Sequence, residues 1–398
     1  MFLNKVLSRN EKLIDAAVKL HQDKKIPSNS YLLDLDAIYE NGVLMADICH
    51  KNNLKFFPMT KQLGRNTAVV KTLNKAGADG YVCVDMADAR RVFASEGKIG
   101  HLGHLVQVPE GETQAAVNMN PEFWTVYSLE KAEAISRALP PGKEQKIMLR
   151  IYGEGDVFYT GHEGGFPAEQ AVWYAKKINS VAGLKFAGIT SFPTQLFNKK
   201  TRQVEHTSNY KTLLKVKYEL EKAGFKNIEI NAPGTTSSHL FEEMAAYGVT
   251  QVEPGHGLTG TTPAHAYYDL AEKPAVVYVS EVSHFYKNRG YCYGGGMYID
   301  PVFDPYTVRA CVGSTSERAK KNIVPCSMPD PSAIDYYGIF EELPSDCIKQ
   351  GDTAVFSFRI QAFVTRAYVV PVSGISQGKP FVEGIFDSDG KETGWPLW

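Results

Sequence analysis

Lys61 stands at the end of an apolar run, where a lysine amine could do covalent chemistry. The run extends from Leu54 to Met59 and reaches the lysine through Thr60, and a helical pattern begins a few residues later, at Thr67. This order predicts a buried strand, a loop and a helix, which places Lys61 at the carboxyl end of a strand. Parallel α/β folds keep their active sites at such ends. In a partly desolvated pocket a lysine amine can lose its proton and attack a carbonyl group.

Two later segments combine glycines with groups that could bind phosphate. In the first, Asn231 precedes Gly234, three hydroxyl side chains follow, and a helix then begins. Backbone N–H groups, hydroxyls and a helix N-terminus together bind phosphate. In the second, Gly255 and His256 follow a predicted strand, and a glycine allows a close approach of the backbone. The three hydroxyl residues of the first segment are Thr235, Thr236 and Ser237.

Glu253 is a carboxylate at the end of an apolar strand, so we expect it to face a buried cation or to share a proton. An amine, a phosphate cradle and a carboxylate together suit pyridoxal 5′-phosphate (PLP). Lys61 would form the Schiff base, and Glu253 would meet the ring nitrogen. The phosphate would lie on Gly234–Ser237 and on Gly255–His256.

Eight strand-like runs, separated by amphipathic helical stretches, lie between residues 55 and 253. Eight βα units predict a (β/α)₈ barrel. An open doubly wound sheet is the alternative, although no GxGxxG follows an early strand. In the barrel, Arg150 and Ser191 also lie at carboxyl ends of strands, and we count them among the residues that contact the cofactor.

After His265 the helical periodicity fades, and β-type segments separated by Gly, Pro and Asp predict a mostly β C-terminal domain. The strand predicted over 30–36 could pair either with the barrel or with this domain. The predicted domains are an N-terminal helical extension over 1–29, a PLP-binding (β/α)₈ barrel over 30–272 and a β C-terminal domain over 273–398.

Local patterns predict individual helices. The spacing of apolar residues predicts helices over 129–138 and over 203–223. A third helix is predicted over 37–51, with Asp36 as its N-cap.

Composition excludes several classes of function. The chain has 398 residues and a net charge of −1, and 43% of its residues are hydrophobic. This balance predicts no nucleic-acid partner and no membrane partner, and charges among the first twenty residues leave no room for a secretory signal. Six cysteines without a CxxC pair predict a reduced, cytoplasmic protein. We predict no metal site, and we interpret His101 and His104 as ordinary strand-end and loop residues.

The order of these motifs resembles that of the alanine-racemase-like, fold type III PLP enzymes, from about residue 28 to the end, and is most similar to their YhfX-type branch. Lys61 stands where that family has its Schiff-base lysine, and Arg65 where alanine racemases have a phosphate-binding tyrosine. Glu253-Pro-Gly255 stands where they have Arg-Pro-Gly. The runs that resemble the branch are Phe57-Pro-Met-Thr-Lys61-Gln, Glu253-Pro-Gly-His256-Gly-Leu-Thr-Gly-Thr-Thr-Pro and Phe363-Val-Thr-Arg366.

The resemblance implies an active site shared between two subunits. A carboxylate at position 253, in place of arginine, would keep the ring nitrogen protonated and stabilise a carbanion. Racemisation needs two acid/base groups on opposite faces of that carbanion. Lys61 would serve one face, and in the family a tyrosine of the β domain reaches across a dimer to serve the other. Tyr293 is our candidate, with Tyr291 and Cys292 as alternatives.

The resemblance therefore predicts a homodimeric, PLP-dependent amino-acid racemase or epimerase that acts at Cα of a small amino acid. A PLP-dependent decarboxylase, aldolase or dehydratase is an alternative, and Glu253 favours it. A non-catalytic PLP carrier is a further alternative, against which the long C-terminal domain argues. Candidate side chains for the substrate carboxylate are Arg150, Arg359 and Arg366.

Overall fold

The computed structural model describes residues 1–298, 307–330, 333–341, 343 and 347–395. The chain forms two compact units, and neither is continuous in sequence. The first unit contains residues 1–42, 61–73 and 256–398, and the second contains residues 43–60 and 74–255. None of the described helices combines the length and the apolar character that a membrane span requires.

Most helices of the described chain follow a strand of the barrel. They are α1 (Phe2–Arg9), α2 (Glu11–Gln22), α3 (Leu35–Lys51), α4 (Thr67–Lys75), α5 (Met86–Ala94), α6 (Thr113–Asn118), α7 (Leu129–Ala138), α8 (Ala171–Ser180), α9 (Ser208–Lys222), α10 (Phe241–Ala246), α11 (Pro263–Tyr267) and α12 (Ser316–Lys321).

The strands fall into a barrel sheet, a C-terminal sheet and a short hairpin. They are β1 (Ser30–Asp34), β2 (Lys55–Phe56), β3 (Tyr81–Cys83), β4 (Ile99–Leu102), β5 (Phe123–Val126), β6 (Gln145–Tyr152), β7 (Phe166–Pro167), β8 (Leu184–Thr190), β9 (Gln195–Asn198), β10 (Gln203–His206), β11 (Glu229–Asn231), β12 (Gln251–Val252), β13 (Val276–Tyr286), β14 (Arg289–Tyr293), β15 (Val308–Gly313), β16 (Ile323–Cys326), β17 (Tyr337–Phe340), β18 (Thr353–Phe356), β19 (Tyr368–Ser373) and β20 (Phe381–Val382).

The second unit is built on a parallel sheet in the order β2-β12-β11-β8-β6-β5-β4-β3. A parallel bridge between Met59, just beyond β2, and Val82 of β3 joins the two ends of this order, so the sheet closes on itself. The predicted (β/α)₈ barrel is thereby confirmed. A cluster of buried apolar side chains, contributed by four strands or their ends, forms part of its core: Phe57, Met59, Val82, Val84, Phe123 and Met148.

The first unit is built on a sheet in the order β16-β15-β18-β13-β1-β19-β20. The mostly β C-terminal domain is therefore also confirmed. Strand β1 lies in the middle of this sheet and not in the barrel. It pairs antiparallel with β13, where Ser30 faces Val279, and parallel with β19, where Ser30 faces Tyr368. Apolar residues of α1 and α2, among them Val6 and Leu13, are buried in the core of this unit.

The start of α3 differs from the prediction. The helix begins at Leu35, and the cap is the carboxylate of Asp34, whose Oδ1 accepts from the N–H groups of Asp36 and Ala37, at 3.1 Å each. The carboxylate of Asp36 instead accepts from the N–H of Gly374 at 3.0 Å. Asp36, which the sequence suggests as the cap, is thus engaged by Gly374, a residue far away in the sequence.

His21 on α2 is a buried histidine held in its neutral form. Its Nδ1 lies 2.7 Å from Oγ1 of Thr353, and its Nε2 lies 3.1 Å from Oγ of Ser28 and 3.3 Å from a carboxylate oxygen of Glu281. Burial lowers the pKa of His21 to about 4. Burial also raises the pKa of Glu281, which weakens the attraction of that carboxylate for a charged imidazole.

Stability is expected to rise with pH between about 4 and 6.5, because His21 takes up a proton near 6.5 when unfolded but only near 4 when folded. Over this pH range the free energy of unfolding is expected to rise by at most roughly 3 kcal/mol. His21→Gln should remove this part of the pH dependence, as measured by urea unfolding at pH 4.5 and 7.5. His50→Gln, at an exposed histidine paired with Asp79, is the control. Parallel pH curves for the wild type and His21→Gln would contradict the prediction.

Candidate active site

The carboxyl ends of the barrel strands carry five buried polar side chains. His101 lies in β4, Thr125 in β5, Arg150 in β6 and Asn231 at the end of β11, and Glu253 directly follows β12. Each is exposed by 5% or less. Because (β/α)₈ barrels hold their active sites at this end, these residues define the candidate site of the second unit.

Glu253 is held by two histidines. Its Oε1 accepts a hydrogen bond from Nδ1 of His101 at 2.5 Å, and its Oε2 lies 3.2 Å from Nε2 of His104. The other ring nitrogen of His101 lies 2.6 Å from Oγ1 of Thr125. Burial alone would raise the pKa of Glu253, but the positive potential of His104 and His101 and the hydrogen bond from His101 outweigh it, so the pKa lies below its ordinary value. Glu253 is therefore an ionised carboxylate inside the barrel.

Within the described chain, His101, His104 and Glu253 also come close to the spacing of metal ligands, with ligand atoms within 4.8 Å of one another. The 2.5 Å separation of Nδ1 of His101 from Oε1 of Glu253 is that of a hydrogen bond. An ion bound about 2.0–2.2 Å from each atom would force them to about 3 Å or more. His101 and Glu253 are therefore joined by a hydrogen bond, and His104 lies beside the other carboxylate oxygen.

Arg150 and Ser191 have protein partners at the same end of the barrel. The guanidinium of Arg150 donates to the main-chain oxygens of His104 at 3.0 Å, Phe192 at 3.0 Å and His162 at 3.2 Å. These bonds use both terminal nitrogens, so Arg150 ties together loops around the barrel mouth. Ser191 is fully buried, and its hydroxyl accepts from Nδ2 of Asn209 at 3.3 Å.

The segment predicted to cradle phosphate is fixed against the hairpin of β9 and β10. A Cβ at Gly234 would lie only 2.5 Å from the main-chain oxygen of Gln195, so this position has room only for glycine. The N–H of Thr235 donates to that oxygen at 3.0 Å. The hydroxyl of Thr236 donates to the main-chain oxygen of Gly234 at 3.1 Å, and that of Ser237 lies 2.9 Å from a ring nitrogen of His239. The N–H of Thr235 is thus occupied within the protein.

In the first unit, Lys61 and Arg65 both lie against the ring of Phe363. The amine of Lys61 is 5.4 Å from the ring centroid, and so is the guanidinium carbon of Arg65. Arg65 is buried and also forms an ion pair with Asp389 at 2.9 Å. Gly64 precedes it with a φ of +70°, and a Cβ there would clash with Val369. Phe363 thus brings two of the predicted cofactor residues together.

His256 is a buried, neutral imidazole in the same unit. Burial first, and then the positive charges of Arg359 and Lys61, hold its pKa well below the ordinary value. Its Nδ1 lies 3.3 Å from Oγ1 of Thr261, whereas Nε2 has no hydrogen-bond partner among the described residues. The positive charges of Lys61 and Arg359 are therefore close enough to His256 to disfavour its protonation.

Backbone hydrogen bonds of the barrel bring two chain segments to the same edge. The N–H of Phe57 donates to the oxygen of Val252, and that of Met59 to the oxygen of Pro254, both at 3.0 Å. Lys61 follows Met59 by two residues, and His256 follows Pro254 by two residues through the buried Gly255. Lys61 and His256 therefore each come two residues after a segment, and these two segments are hydrogen-bonded to each other.

The candidates for a second acid/base group differ in exposure. Tyr293, on β14, is 39% exposed, and its main-chain oxygen accepts from the hydroxyls of Ser280 at 2.6 Å and Tyr278 at 3.1 Å. Tyr291 stacks on His284, with ring centroids 4.5 Å apart. Cys292, between them in sequence, is fully buried. The two tyrosines are partly exposed, whereas Cys292 is not.

The remaining arginine candidates also have partners. Arg366 pairs with Asp335 at 2.8 Å, with its side chain 56% exposed. Arg359 lies close enough to His256 to lower the pKa of that histidine.

Several buried polar atoms of the described chain have no hydrogen-bond partner there, and such atoms are costly unless a ligand satisfies them. In the barrel they include Nε2 of Gln195 and Oγ1 of Thr60, and Oε2 of Glu253 has only Nε2 of His104, at 3.2 Å, and the amide of Asn231 beside it. In the first unit they include Nε2 of His256. A carboxylate oxygen suits a protonated ring nitrogen, and neutral amide and imidazole N–H groups suit phosphate or hydroxyl oxygens. Taken by itself, each unit therefore offers groups that suit a part of PLP.

His101 and His104 were not predicted as part of the site, although both contact Glu253. The sequence did give a signal that Glu253 has a buried partner, because a carboxylate at the end of an apolar strand needs one. The sequence did not identify the partner, because His101 and Glu253 are 152 residues apart and meet only when the barrel closes.

Comparison with known proteins places these features in a family. Residues 33–263 match the family "Alanine racemase, N-terminal domain", and residues 277–382 match "YhfX-like, C-terminal domain". The chain is 36% identical to "Uncharacterized protein YhfX" of Escherichia coli (strain K12) over 396 residues, which cover 99% of this chain and 100% of that protein.

Similar solved structures share the fold at low sequence identity. D-threonine aldolase from Filomicrobium marinum has a TM-score of 0.70 at 16% identity, covering 92% of this chain and 95% of its own. D-threo-3-hydroxyaspartate dehydratase from Delftia sp. HT23 has a TM-score of 0.65 at 16% identity, covering 90% and 97%. Alanine racemase from Corynebacterium glutamicum has a TM-score of 0.60 at 15% identity, covering 83% and 90%.

Proposed function

Because this chain belongs to the family of the alanine racemase N-terminal domain and carries a YhfX-like C-terminal domain, we propose that it is a PLP-dependent racemase or epimerase of a small amino acid. Glu253 is the observation that carries the cofactor in this proposal, and the match to the alanine racemase N-terminal domain carries the choice of racemisation. An ionised carboxylate buried at the carboxyl end of the barrel suits a cation beside it, and the protonated pyridine nitrogen of PLP would be such a cation. A cytoplasmic location stays a prediction of the sequence.

In this proposal each part of the site holds a different part of the cofactor. Lys61 holds it covalently through its amine, and Glu253 pairs with the ring nitrogen. Arg65, Arg150 and Ser191 line or support the pocket. The residues proposed to contact the phosphate are Asn231, Gly234, Thr235, Thr236, Ser237, Gly255 and His256.

When bound, PLP supplies an aldehyde that captures amines and a ring that delocalises the electron pair left at Cα when a bond there breaks. The protein's own task is to move protons. Lys61 would remove or return the Cα proton on one face, and Tyr293 of a second subunit would do so on the other. Glu253 would favour the reaction by keeping the ring nitrogen cationic.

A second candidate function is aldol cleavage or dehydration of a β-hydroxy amino acid. Glu253 favours it, because a cationic ring stabilises the carbanion that these reactions also require. The likeness in fold to the aldolase and the dehydratase is compatible with it.

Solvent-deuterium exchange distinguishes these functions. The PLP-loaded protein is incubated with single amino acids, including β-hydroxy amino acids, in deuterated water. Deuterium at Cα with loss of optical purity is expected for a racemase. An aldehyde and glycine indicate an aldolase, a keto acid and ammonia a dehydratase, and carbon dioxide a decarboxylase. A panel without exchange or product would contradict catalysis and favour a carrier.

Tyr293→Phe is expected to lower racemisation by roughly 10²-fold or more, because it removes the proton donor of one face. Exchange on the face of Lys61 should persist, so deuterium should still enter with retained configuration. Tyr291→Phe, two residues away on the same face of β14, is the matched control and should keep its activity.

Complementation tests whether two subunits share the site. Lys61→Ala and Tyr293→Phe are expected to be nearly inactive alone, and heterodimers formed by refolding the mixture should contain one intact site. Heterodimers without racemase activity would show that Tyr293 is not the second base or that each site comes from one chain.

A further inference from the structure

The negative charge of Glu253 must be balanced inside the barrel before a cofactor binds as well as afterwards. Its side chain is fully buried, and an ionised carboxylate there is costly unless a cation pairs with it. The chargeable groups that face it are His101 on β4 and His104 just after β4. Arg150, on β6, donates to the main-chain oxygen of His104 and not to the carboxylate. Near neutral pH, imidazoles are the groups that can gain and lose the balancing proton.

His101 is better placed than His104 to hold that proton. Both ring nitrogens of His101 have an oxygen at hydrogen-bond distance, Oε1 of Glu253 at 2.5 Å and Oγ1 of Thr125 at 2.6 Å. An imidazolium donates from both nitrogens, so this environment suits the charged ring. The ring of His104 stacks on that of His101 with centroids 5.0 Å apart. A second positive charge on His104 would therefore be repelled by His101, and also by Arg150 at its main chain.

Thr125 also suits the uncharged ring. A threonine hydroxyl can accept a hydrogen bond from a protonated Nε2 or donate one to a bare Nε2. Nδ1–H of His101 can meanwhile continue to donate to Glu253. The same three side chains therefore accommodate two protonation states of His101 without moving.

We propose that His101 holds the counter-proton of Glu253 in the cofactor-free protein and gives it up when a protonated ring nitrogen becomes the cation beside Glu253. The inference rests on the proposed function. The charge balances, because PLP enters with its ring nitrogen protonated, the Nε2 proton of the imidazole leaves to water, and Glu253 stays a carboxylate throughout. His101 and Thr125 are thus positioning residues that keep the buried charge constant.

Nitrogen NMR of protein labelled with ¹⁵N-histidine tests the proposal at neutral pH, with His101 assigned from the spectrum of His101→Gln. In the cofactor-free protein, both ring nitrogens of His101 are expected to be protonated. With PLP, Nε2 should lose its proton. With the PLP analogue that has carbon in place of the ring nitrogen, both should stay protonated, because this analogue offers no cation to Glu253.

Two variants provide controls. Glu253→Gln should leave His101 uncharged in the cofactor-free protein, since no carboxylate remains to balance. Thr125→Val keeps the size of the side chain but removes the acceptor for Nε2–H, and it should also lose the doubly protonated ring. Thermal unfolding of each variant shows whether it is folded.

The outcomes separate this inference from the proposed function. If PLP is held at Lys61 but His101 is in the same state with PLP and with the carbon analogue, the inference is wrong and the proposed function stands. A cofactor-free protein with an uncharged His101 also overturns the inference. If PLP does not bind, the proposed function fails and the inference fails with it.

Discussion

Replacing Lys61 with alanine is expected to lower amino-acid turnover by roughly 10³-fold or more, because the amine would act both as covalent anchor and as acid/base group. The wild type loaded with PLP should be yellow, and reduction with borohydride should fix the cofactor to Lys61, as peptide mapping by mass spectrometry would show. The reduced Lys61→Ala protein should carry no cofactor after denaturation.

Lys71→Ala is the matched control. Lys71 is exposed, lies on α4 and belongs to the same chain segment of the first unit as Lys61. Its replacement should leave both the colour and the fixed label unchanged. If peptide mapping of the wild type places the label on another lysine, Lys61 is not the anchor, and the proposed assignment of the site is wrong.

Replacing Glu253 with glutamine is expected to slow exchange at Cα by roughly 10²-fold or more, since the amide cannot stabilise a cationic ring nitrogen. The cofactor should still be fixed to Lys61 by borohydride, because the amine is unchanged. Exchange is measured by mass spectrometry with the amino acid that the deuterium panel identifies.

Glu272→Gln is the matched control for this variant. Glu272 is also fully buried and paired with a histidine, His265, at 3.2 Å, but it belongs to the first unit. Its replacement should alter stability and leave the rate of exchange per folded protein unchanged. A Glu253→Gln protein that exchanges Cα deuterium at the rate of the wild type would remove Glu253 from the proposed mechanism.

Local sequence patterns were sufficient to predict most of the elements of the barrel. The helix predicted over 129–138 is α7, because its apolar residues recur with the helical period and Ser128 caps it by accepting from the N–H of Lys131 at 3.2 Å. The helix predicted over 203–223 was wrong at its start. Residues Gln203–His206 form β10, which pairs with β9, and the helix begins only at Ser208. A strand partner overrides a weak helical pattern there.

The candidate site shows the same limit. Lys61 and Glu253 were predicted as site residues because each follows an apolar strand, which is a local signal. The partners of Glu253 could not be identified in this way, since His101 reaches it only through closure of the barrel. Likewise, the ion pair of Arg65 with Asp389 joins residues 324 apart. Contacts of this kind depend on which strands become neighbours, and periodicity carries no information about that.

The central position of β1 sets an order of assembly during synthesis. Its neighbours in the sheet, β13 and β19, lie in residues 276–373 and leave the ribosome long after it. A nascent chain that has reached residue 255 contains every barrel strand, yet β1 has neither of its partners. Its five residues are all buried in the finished protein, so until then an apolar strand with two open edges is exposed to other chains. Strand β1 is therefore among the last strands of the described chain to find its partners, and chaperones that shield unpaired strands would act on it late in translation.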